Sequence, residues 1–242
     1  MQTFDHLILN GRPAGGKSEL IDFLKRAAPD QRARRYHVGE LEEIDDFVWL
    51  WDKFVEDDIW EELGEPRLWS ERVPDGYVQK DGDRLLDMLM RKFSVVIERD
   101  YLSKRSFYDD HSLLVEFARG TGDGGYRRAY DLFTKPVLER AAILYIQVSY
   151  EESKRKNEAR YQEALAHSVL AHKVPDEGLA RFSAEQDWEA FTTGRKSGYL
   201  ELLGLRVPFV TMPNEPELTD PDALDARYGD ALEELWSLYV QR

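Results

Sequence analysis

Residues 4–27 of the chain read FDHLILNGRPAGGKSELIDFLKRA and combine three local patterns. The apolar run at 4–10 has the length of a buried strand. After Lys17 the apolar residues recur with helical spacing, and Pro29 is expected to end that helix. The order strand, glycine-rich loop, helix is therefore predicted for the start of the chain.

The loop GRPAGGKS at 11–18 matches the phosphate-binding pattern G-x-x-x-x-G-K-[ST], the P-loop, at every fixed position. Its glycines allow backbone N–H groups to point at phosphate oxygens, and the next helix adds its positive N-terminal end. This chemistry predicts that Lys17 reaches the β- and γ-phosphates and that the Ser18 hydroxyl ligates a magnesium ion. The predicted nucleotide-binding residues are Gly11, Arg12, Pro13, Ala14, Gly15, Gly16, Lys17, Ser18 and Glu19. We expect ATP to bind here together with Mg²⁺.

Apolar runs of strand length alternate with helical patterns along the rest of the chain. Besides 4–10, the predicted strands are 34–41, 112–117, 141–148 and 206–212. The predicted helical segments are 42–63, 82–103, 126–140, 151–167 and 222–240, with turn signals across 64–76. Such alternation favours a parallel sheet covered on both faces. We predict one α/β domain over 1–242 with three layers and about five parallel strands.

Composition narrows the classes of partner. The 242 residues carry a net charge of −14 and include no cysteine, which excludes disulfides and thiolate metal ligands. The acidic balance disfavours nucleic acid as a partner. No apolar run reaches the roughly 18 residues of a membrane span, and the start of the chain lacks a signal-peptide pattern. We expect a cytoplasmic protein without a membrane partner, and a homodimer is left open.

Two segments together resemble the P-loop kinases of small molecules, such as the nucleoside and nucleotide kinases. One is GRPAGGKS following LILN, and the other is ILYIQVSYEESKRKNEAR at 143–160, which is similar to the strand and basic lid helix of deoxynucleoside kinases. The resemblance implies a P-loop NTPase fold and transfer of the γ-phosphoryl group of Mg-ATP to a small acceptor. It also implies that 150–200 contains the lid and that 40–110 binds the acceptor.

The resemblance further implies that basic lid residues close over the phosphates. By position these are Lys154, Arg155, Lys156 and Arg160. Arg155 is the first choice and Arg160 the second. The alternative is a solvated helix in which these cations pair with neighbouring glutamates.

An acid and an arginine follow the predicted strand at 112–117. Glu116 occupies the place of the acidic residue that assists magnesium in P-loop folds, although a carboxylate at this point could also cap the next turn. Arg119 resembles the arginine that follows this acid in nucleoside kinases. The chain reads Glu-Phe-Ala-Arg where that family has Glu-Arg-Ser.

A kinase also needs a carboxylate that takes the proton of the acceptor hydroxyl. Family members carry a glutamate after the second strand, and five acids crowd that place: Glu40, Glu42, Glu43, Asp45 and Asp46. Glu40 is preferred because it lies at the end of the predicted strand RRYHVGEL. The sequence does not choose among the five.

Some further residues have two possible roles, and others have a role that only the resemblance implies. The aromatic residues that either line an acceptor pocket or pack in the core are Phe47, Trp49, Trp51, Phe54, Trp60 and Trp69. By resemblance, the loop at 212–215 borders the nucleotide base.

Two functions compete with a kinase: a P-loop NTPase with water as the acceptor, and a regulatory protein controlled by nucleotide binding. The guanine-reading tetrapeptide Asn/Thr-Lys-x-Asp is absent from the sequence, which argues against a GTPase. The sequence does not identify the acceptor.

Overall fold

The computed structural model describes residues 2–74, 76–80, 82–104, 106–167 and 174–242. Its strands are β1 (His6–Gly11), β2 (Glu40–Asp45), β3 (Ser70–Val73), β4 (Gly76–Gln79), β5 (His111–Glu116), β6 (Ala141–Gln147), β7 (Ser197–Leu202) and β8 (Leu205–Pro213). Its helices are α1 (Lys17–Arg26), α2 (Pro29–Arg35), α3 (Asp46–Glu62), α4 (Gly82–Val96), α5 (Gly125–Asp131), α6 (Lys135–Leu138), α7 (Tyr150–His167), α8 (Asp176–Ser183), α9 (Trp188–Phe191) and α10 (Pro221–Tyr239). A π-helical turn, Ile97–Leu102, continues α4.

The main sheet has six strands in the order β2-β5-β1-β6-β8-β7. Its first five strands are parallel, and β7 pairs antiparallel with β8 at one edge. The prediction of an α/β fold with about five parallel strands is thus confirmed. The strand that carries the glycine loop, β1, lies between β5 and β6, so the loop emerges from the middle of the sheet.

Both faces of the sheet are covered, as alternating side chains of β1 illustrate. Ile8 belongs to one core cluster, with Phe93 of α4 and Tyr130 of α5. Leu7 and Leu9 belong to the other, with side chains from α1 and α10. Because successive side chains of a strand point to opposite faces, one apolar run supplies both cores.

The predicted strand at 34–41 is wrong in its position. Pro29 begins α2 rather than only ending α1, since proline is favoured in the first turn of a helix. The strand is Glu40–Asp45 and lies at the edge of the sheet. The following helix begins at Asp46 and not at residue 42, because the Asp45 carboxylate caps it by accepting the Phe47 N–H at 2.8 Å.

Two strand pairings were not predicted. The β3–β4 hairpin begins in the region predicted as loop, 64–76, and β7 begins in the region that was expected to contain the lid, 150–200. The entrance to the hairpin is fixed by the buried carboxylate of Asp57, which accepts the N–H groups of Leu68, Trp69 and Ser70. In the expected lid region 150–200, residues 168–173 lie outside the described residues. No helix in the described ranges is long and apolar enough to cross a membrane.

Candidate active site

The glycine loop begins where β1 ends, and its backbone geometry requires glycine at two positions. Gly11 has φ 141°, and a Cβ there would lie 2.4 Å from the carbonyl oxygen of Ile146. Gly16 has φ 109°, and a Cβ there would lie 2.3 Å from Nδ2 of Asn214. Larger residues are excluded by both conformation and space. The fixed glycines of the motif thus serve the turn itself.

The helix that follows the loop begins without a side-chain cap. Gly16 is the N-cap residue of α1, and no side-chain hydrogen bond from the residues that the structure describes caps this end of the helix. Uncapped N–H groups at a helix N-terminus, together with the helix dipole, favour an anion. Ser18 is exposed in this first turn. The loop and helix start are therefore arranged to receive phosphate.

Lys17 is buried above the loop. Its Nζ donates to the carbonyl oxygens of Gly11 at 3.2 Å and Arg12 at 3.0 Å. The same Nζ lies 3.8 Å from Oε1 of Glu116, at the end of β5. The cation thus stands between the phosphate-binding loop and an acid from the neighbouring strand.

A second acid, Asp45, ends β2 and is the register partner of Glu116. Burial raises the pKa of Asp45 to about 7, and the negative charges of Asp46 and Glu116 reinforce the shift. Burial also raises the pKa of Glu116, against the attraction of Lys17. A carboxylate that titrates near neutral pH can accept a proton from a reacting hydroxyl.

Arg119 follows Glu116 and forms a buried ion pair. Its Nη2 lies 2.6 Å from Oδ2 of Asp46, and the two side chains are 3% and 8% exposed. Burial raises the pKa of Asp46, while Arg119 opposes that rise. The pair fixes the guanidinium beside the acids, since a buried charged pair of this geometry tolerates little movement.

These groups open into a cleft of about 540 Å³. One wall is aromatic, with Phe47, Trp51 and Phe54 of α3 and Tyr77 of the hairpin. The cleft also receives charged side chains from further segments: Lys80, Arg119, Arg160, Glu177 and Arg181. This volume is within the range of pockets that bind small molecules and is much larger than one water molecule needs.

Some of the aromatic residues selected from the sequence line the cleft, and others pack elsewhere. Phe47, Trp51 and Phe54 line the cleft. Trp49 packs against Phe93 with ring centroids 4.9 Å apart, as a core residue does. The other two do not line the cleft: Trp60 is exposed, and Trp69 packs on the cluster under α3.

The basic residues of α7 differ in whether they reach the cleft. Arg160 lines the cleft and forms an ion pair with Glu19, with Nη2 and Oε1 2.5 Å apart. Arg155 does not line the cleft; it is 55% exposed and pairs at 2.7 Å with Glu152 and with Glu217. Lys156 also pairs with Glu217, at 3.1 Å, and Lys154 is exposed. Arg160, the second choice for a lid cation, therefore lies at the site, and Arg155, the first choice, does not.

Glu40 is not brought to the site. It is the first residue of β2 and pairs in register with His111, the first residue of β5, so it lies at the amino end of the sheet. The reason is that β2 begins at Glu40, close to the end of the strand that was predicted at 34–41. Among the acids left open by the sequence, Asp45 and Asp46 line the cleft.

A second cavity, of about 240 Å³, adjoins the helix that follows the P-loop. It lies between α1, α10 and the loop after β8, and its lining includes Glu19, Phe23, Asn214 and Tyr228. Asn214 Nδ2 donates to the carbonyl oxygen of Gly15 at 3.0 Å, which ties this cavity to the phosphate-binding loop. The segment expected to border the base, 212–215, thus contributes Asn214.

The sequence did not indicate three cleft residues, Tyr77, Gln79 and Arg181. Arg181 of α8 lies 3.0 Å from the buried carboxylate of Asp123, which also accepts from Gln79 at 3.3 Å. Tyr77 and Gln79 lie in β4 and Arg181 lies in α8, so no local motif marks the three together. Residues 76–80 read GYVQK, which shows no apolar–polar alternation, and the nearby Pro74 and Gly76 predict a turn.

The oxygen groups near Lys17 suit a magnesium ion. Ser18 offers a hydroxyl in the first turn of α1, and Glu116 offers a carboxylate at the adjacent strand end. In the described part of the chain, no group of three or more His, Asp or Glu side chains could hold a metal by itself. Mg²⁺ typically takes one or two protein ligands and completes its shell with phosphate oxygens and water.

A parallel sheet whose central strand leads through a glycine loop into an uncapped helix is the α/β fold of the P-loop proteins. No protein-family model matches the sequence. A search of the curated proteins also found no match.

Several solved structures are similar to the chain. A gluconokinase from Sinorhizobium meliloti is 14% identical, with 100% of this chain and 99% of that chain covered and a TM-score of 0.43. A sugar kinase from Janibacter sp. is 13% identical, with 97% and 98% covered and a TM-score of 0.42. A shikimate kinase from Acinetobacter baumannii, in complex with shikimate, is 12% identical, with 75% and 73% covered and a TM-score of 0.33. At these identities and TM-scores the fold class rests on the chain's own strand order and glycine loop.

Proposed function

We propose that the protein is a kinase that transfers the γ-phosphoryl group of Mg-ATP to a hydroxyl group of a small molecule. The observation that carries the proposal is the position of Asp45. This carboxylate, whose pKa is raised to about 7, lines the same cleft as Lys17 and the phosphate-binding loop. A P-loop beside a carboxylate of this kind supports proton removal from an acceptor during phosphoryl transfer.

Binding of the triphosphate falls to the loop and α1. Backbone N–H groups of the loop and the start of α1, together with the Lys17 ammonium, hold the phosphates, while Ser18 and Glu116 would hold Mg²⁺. The metal ion, when bound, neutralises charge on the β- and γ-phosphates. The nucleobase occupies the cavity beside Asn214, whose side chain is tied to Gly15 of the loop.

Transfer begins when the acceptor hydroxyl attacks the γ-phosphorus. A bond forms between the hydroxyl oxygen and phosphorus, and the bond from phosphorus to the β,γ-bridging oxygen breaks. ADP leaves with that electron pair, and the hydroxyl proton passes to Asp45. Arg119, held by Asp46, and Arg160 of α7 counter the charge on the transferred group, which is the main protein contribution to such reactions.

The acceptor itself is a small molecule with a flat or apolar portion. The cleft's volume and its wall of Phe47, Trp51, Phe54 and Tyr77 support this, because aromatic faces stack on rings and exclude water. Exclusion of water also suppresses hydrolysis of ATP.

ADP release from Mg-ATP, with and without panels of nucleosides, nucleotides, sugars and antibiotics, tests the proposal. We expect slow release by the protein alone and an acceleration of orders of magnitude by the correct acceptor. Fast release that no compound changes would instead identify a hydrolase. Binding of Mg-ATP without any turnover would favour a nucleotide-controlled regulatory protein.

A further inference from the structure

Exposed apolar side chains are concentrated on one part of the surface. Among the described residues, nine of the eleven large apolar side chains that are exposed lie between Phe47 and Val95. The other two are Leu203 and Val240. Single exposed apolar residues are normal, but a concentration of this kind marks an interaction surface.

On α3 these side chains form a regular seam. Val48, Asp52, Val55 and Ile59 are all exposed and follow one another at intervals of four, three and four residues. The opposite side of the helix is buried through Leu50, Phe54 and Asp57. Intervals of three and four residues keep one stripe of a helix facing a single partner.

A second seam with the same spacing runs along α4. Its exposed residues are Arg84, Met88, Arg91 and Val95, again four, three and four residues apart. The seam on α3 is dominated by apolar residues with one acid, whereas the seam on α4 alternates arginine with an apolar residue.

The two helices pack against each other, so their seams are neighbours. Leu50 and Phe54 of α3 share a buried cluster with Leu85, Leu86 and Leu89 of α4. The Lys92 ammonium lies 4.4 Å from the centre of the Trp49 ring, and the charge of Asp52 also acts on it. We define the two seams together as the α3–α4 face.

We propose that the α3–α4 face binds a second copy of this chain. In a two-fold contact each surface meets itself, so α3 of one copy can lie against α4 of the other. With the two seams antiparallel, that arrangement buries Val48 against Val95 and Val55 against Met88. It also sets Asp52 of each copy beside Arg91 of its neighbour.

A second copy is favoured over another partner because the chain carries both halves of the contact. The acid and the arginines occur on matched seams with the same residue spacing, as self-association requires. Two helices from each copy form a four-helix contact, a stable way to bury seams spaced at three and four residues.

The test is the molar mass in solution, measured by light scattering after gel filtration. We expect a dimer for the wild-type protein and a monomer for the double variant Val48→Glu/Val55→Glu. Val240→Glu is the matched control, since it places the same charge at an exposed apolar position elsewhere, and it should remain dimeric. Circular dichroism establishes that each variant is folded.

A charge exchange tests the pairing of α3 with α4. Arg91→Glu should weaken the dimer at least about tenfold, and Asp52→Arg in the same chain should restore much of the loss, because the exchanged pair again has opposite charges. A monomeric wild-type protein would overturn the inference. So would a dimer that survives Val48→Glu/Val55→Glu, or an exchange that restores nothing.

Discussion

Nζ of Lys17 and Oε1 of Glu116 lie 3.8 Å apart where β1 and β5 end. The register that pairs Leu9 with Glu116 produces this proximity, because it ends the two parallel strands side by side. The same lysine donates to two carbonyl oxygens of its own loop. A bound triphosphate is expected to replace those carbonyl oxygens as the acceptors.

Lys17→Ala should therefore abolish most of the stabilisation by Mg-ATP. A ligand present at about 100 times its Kd stabilises the native state by about 2.7 kcal/mol, which corresponds to a rise in Tm of roughly 5–10 °C for a chain of this size. Thermal melts with and without Mg-ATP measure this rise. Lys196→Ala, at an exposed site away from the cleft, should keep the full shift. An undiminished shift in Lys17→Ala would rule out the P-loop as the nucleotide site.

Asp45→Asn should lower acceptor-dependent turnover about 10²- to 10⁴-fold, the range for loss of a general base. Asparagine keeps the cap of α3, because its side-chain oxygen can still accept the Phe47 N–H. Glu40→Gln is the control, since Glu40 lies at the amino end of the same strand, away from the cleft, and should show wild-type kinetics. Equal losses in the two variants would contradict the assignment of Asp45.

The raised pKa of Asp45 predicts the pH dependence of turnover. The base acts only when ionised, so kcat/KM should rise with pH and level off above about pH 7. This ionisation should disappear from the profile of residual activity in Asp45→Asn. A wild-type profile that is flat between pH 5 and 8 would contradict a base of this pKa.

Stability should show the opposite trend with pH. The folded state holds the Asp45 proton more tightly than the unfolded state, whose aspartate titrates near 3.8. The wild-type protein therefore loses stability as pH rises from about 4 to about 7, and Asp45→Asn avoids this loss. We expect the variant to have the higher Tm at pH 8 and a smaller advantage at pH 5. Melting curves at both pH values test this, and a lower Tm for the variant at pH 8 would contradict it.

Arg160 and Arg155 provide a matched pair on α7. Arg160→Ala should reduce turnover steeply, with a smaller loss of ATP affinity, because its contact strengthens in the transition state. Arg160→Lys should recover part of the loss through charge alone. Arg155→Ala removes exposed ion pairs only and should leave turnover close to wild type. Steady-state kinetics of the three variants separate these roles, and a larger loss in Arg155→Ala would restore the original choice.

The parts of this fold that the sequence predicted correctly have strong local signals. The glycine loop is a complete motif, and the apolar run at 141–148 matches β6 closely because a central strand is buried on both faces. The segment ELEEID has no such signal, since β2 is an edge strand with exposed acids. The strand was therefore predicted too early in the sequence, and Glu40 lies at the amino end of β2 rather than at the carboxyl end.

The choice between the two lid cations depends on a different kind of information. Arg155 and Arg160 are five residues apart, so they point in directions about 140° apart on a helix. The sequence of α7 is charged on all sides and does not indicate which direction faces the cleft. Arg181 reaches the cleft from a separate helix, and only tertiary packing reveals that position.

The fate of the γ-phosphoryl group tests the central claim most directly. Phosphorus NMR of the protein with Mg-ATP and an acceptor that accelerates ADP release follows each phosphorus atom. The account predicts a new phosphoester resonance that grows in step with ADP, in the wild-type protein and in Glu40→Gln but far more slowly in Asp45→Asn. Inorganic phosphate as the only product, at the same rate with or without the acceptor, would contradict it.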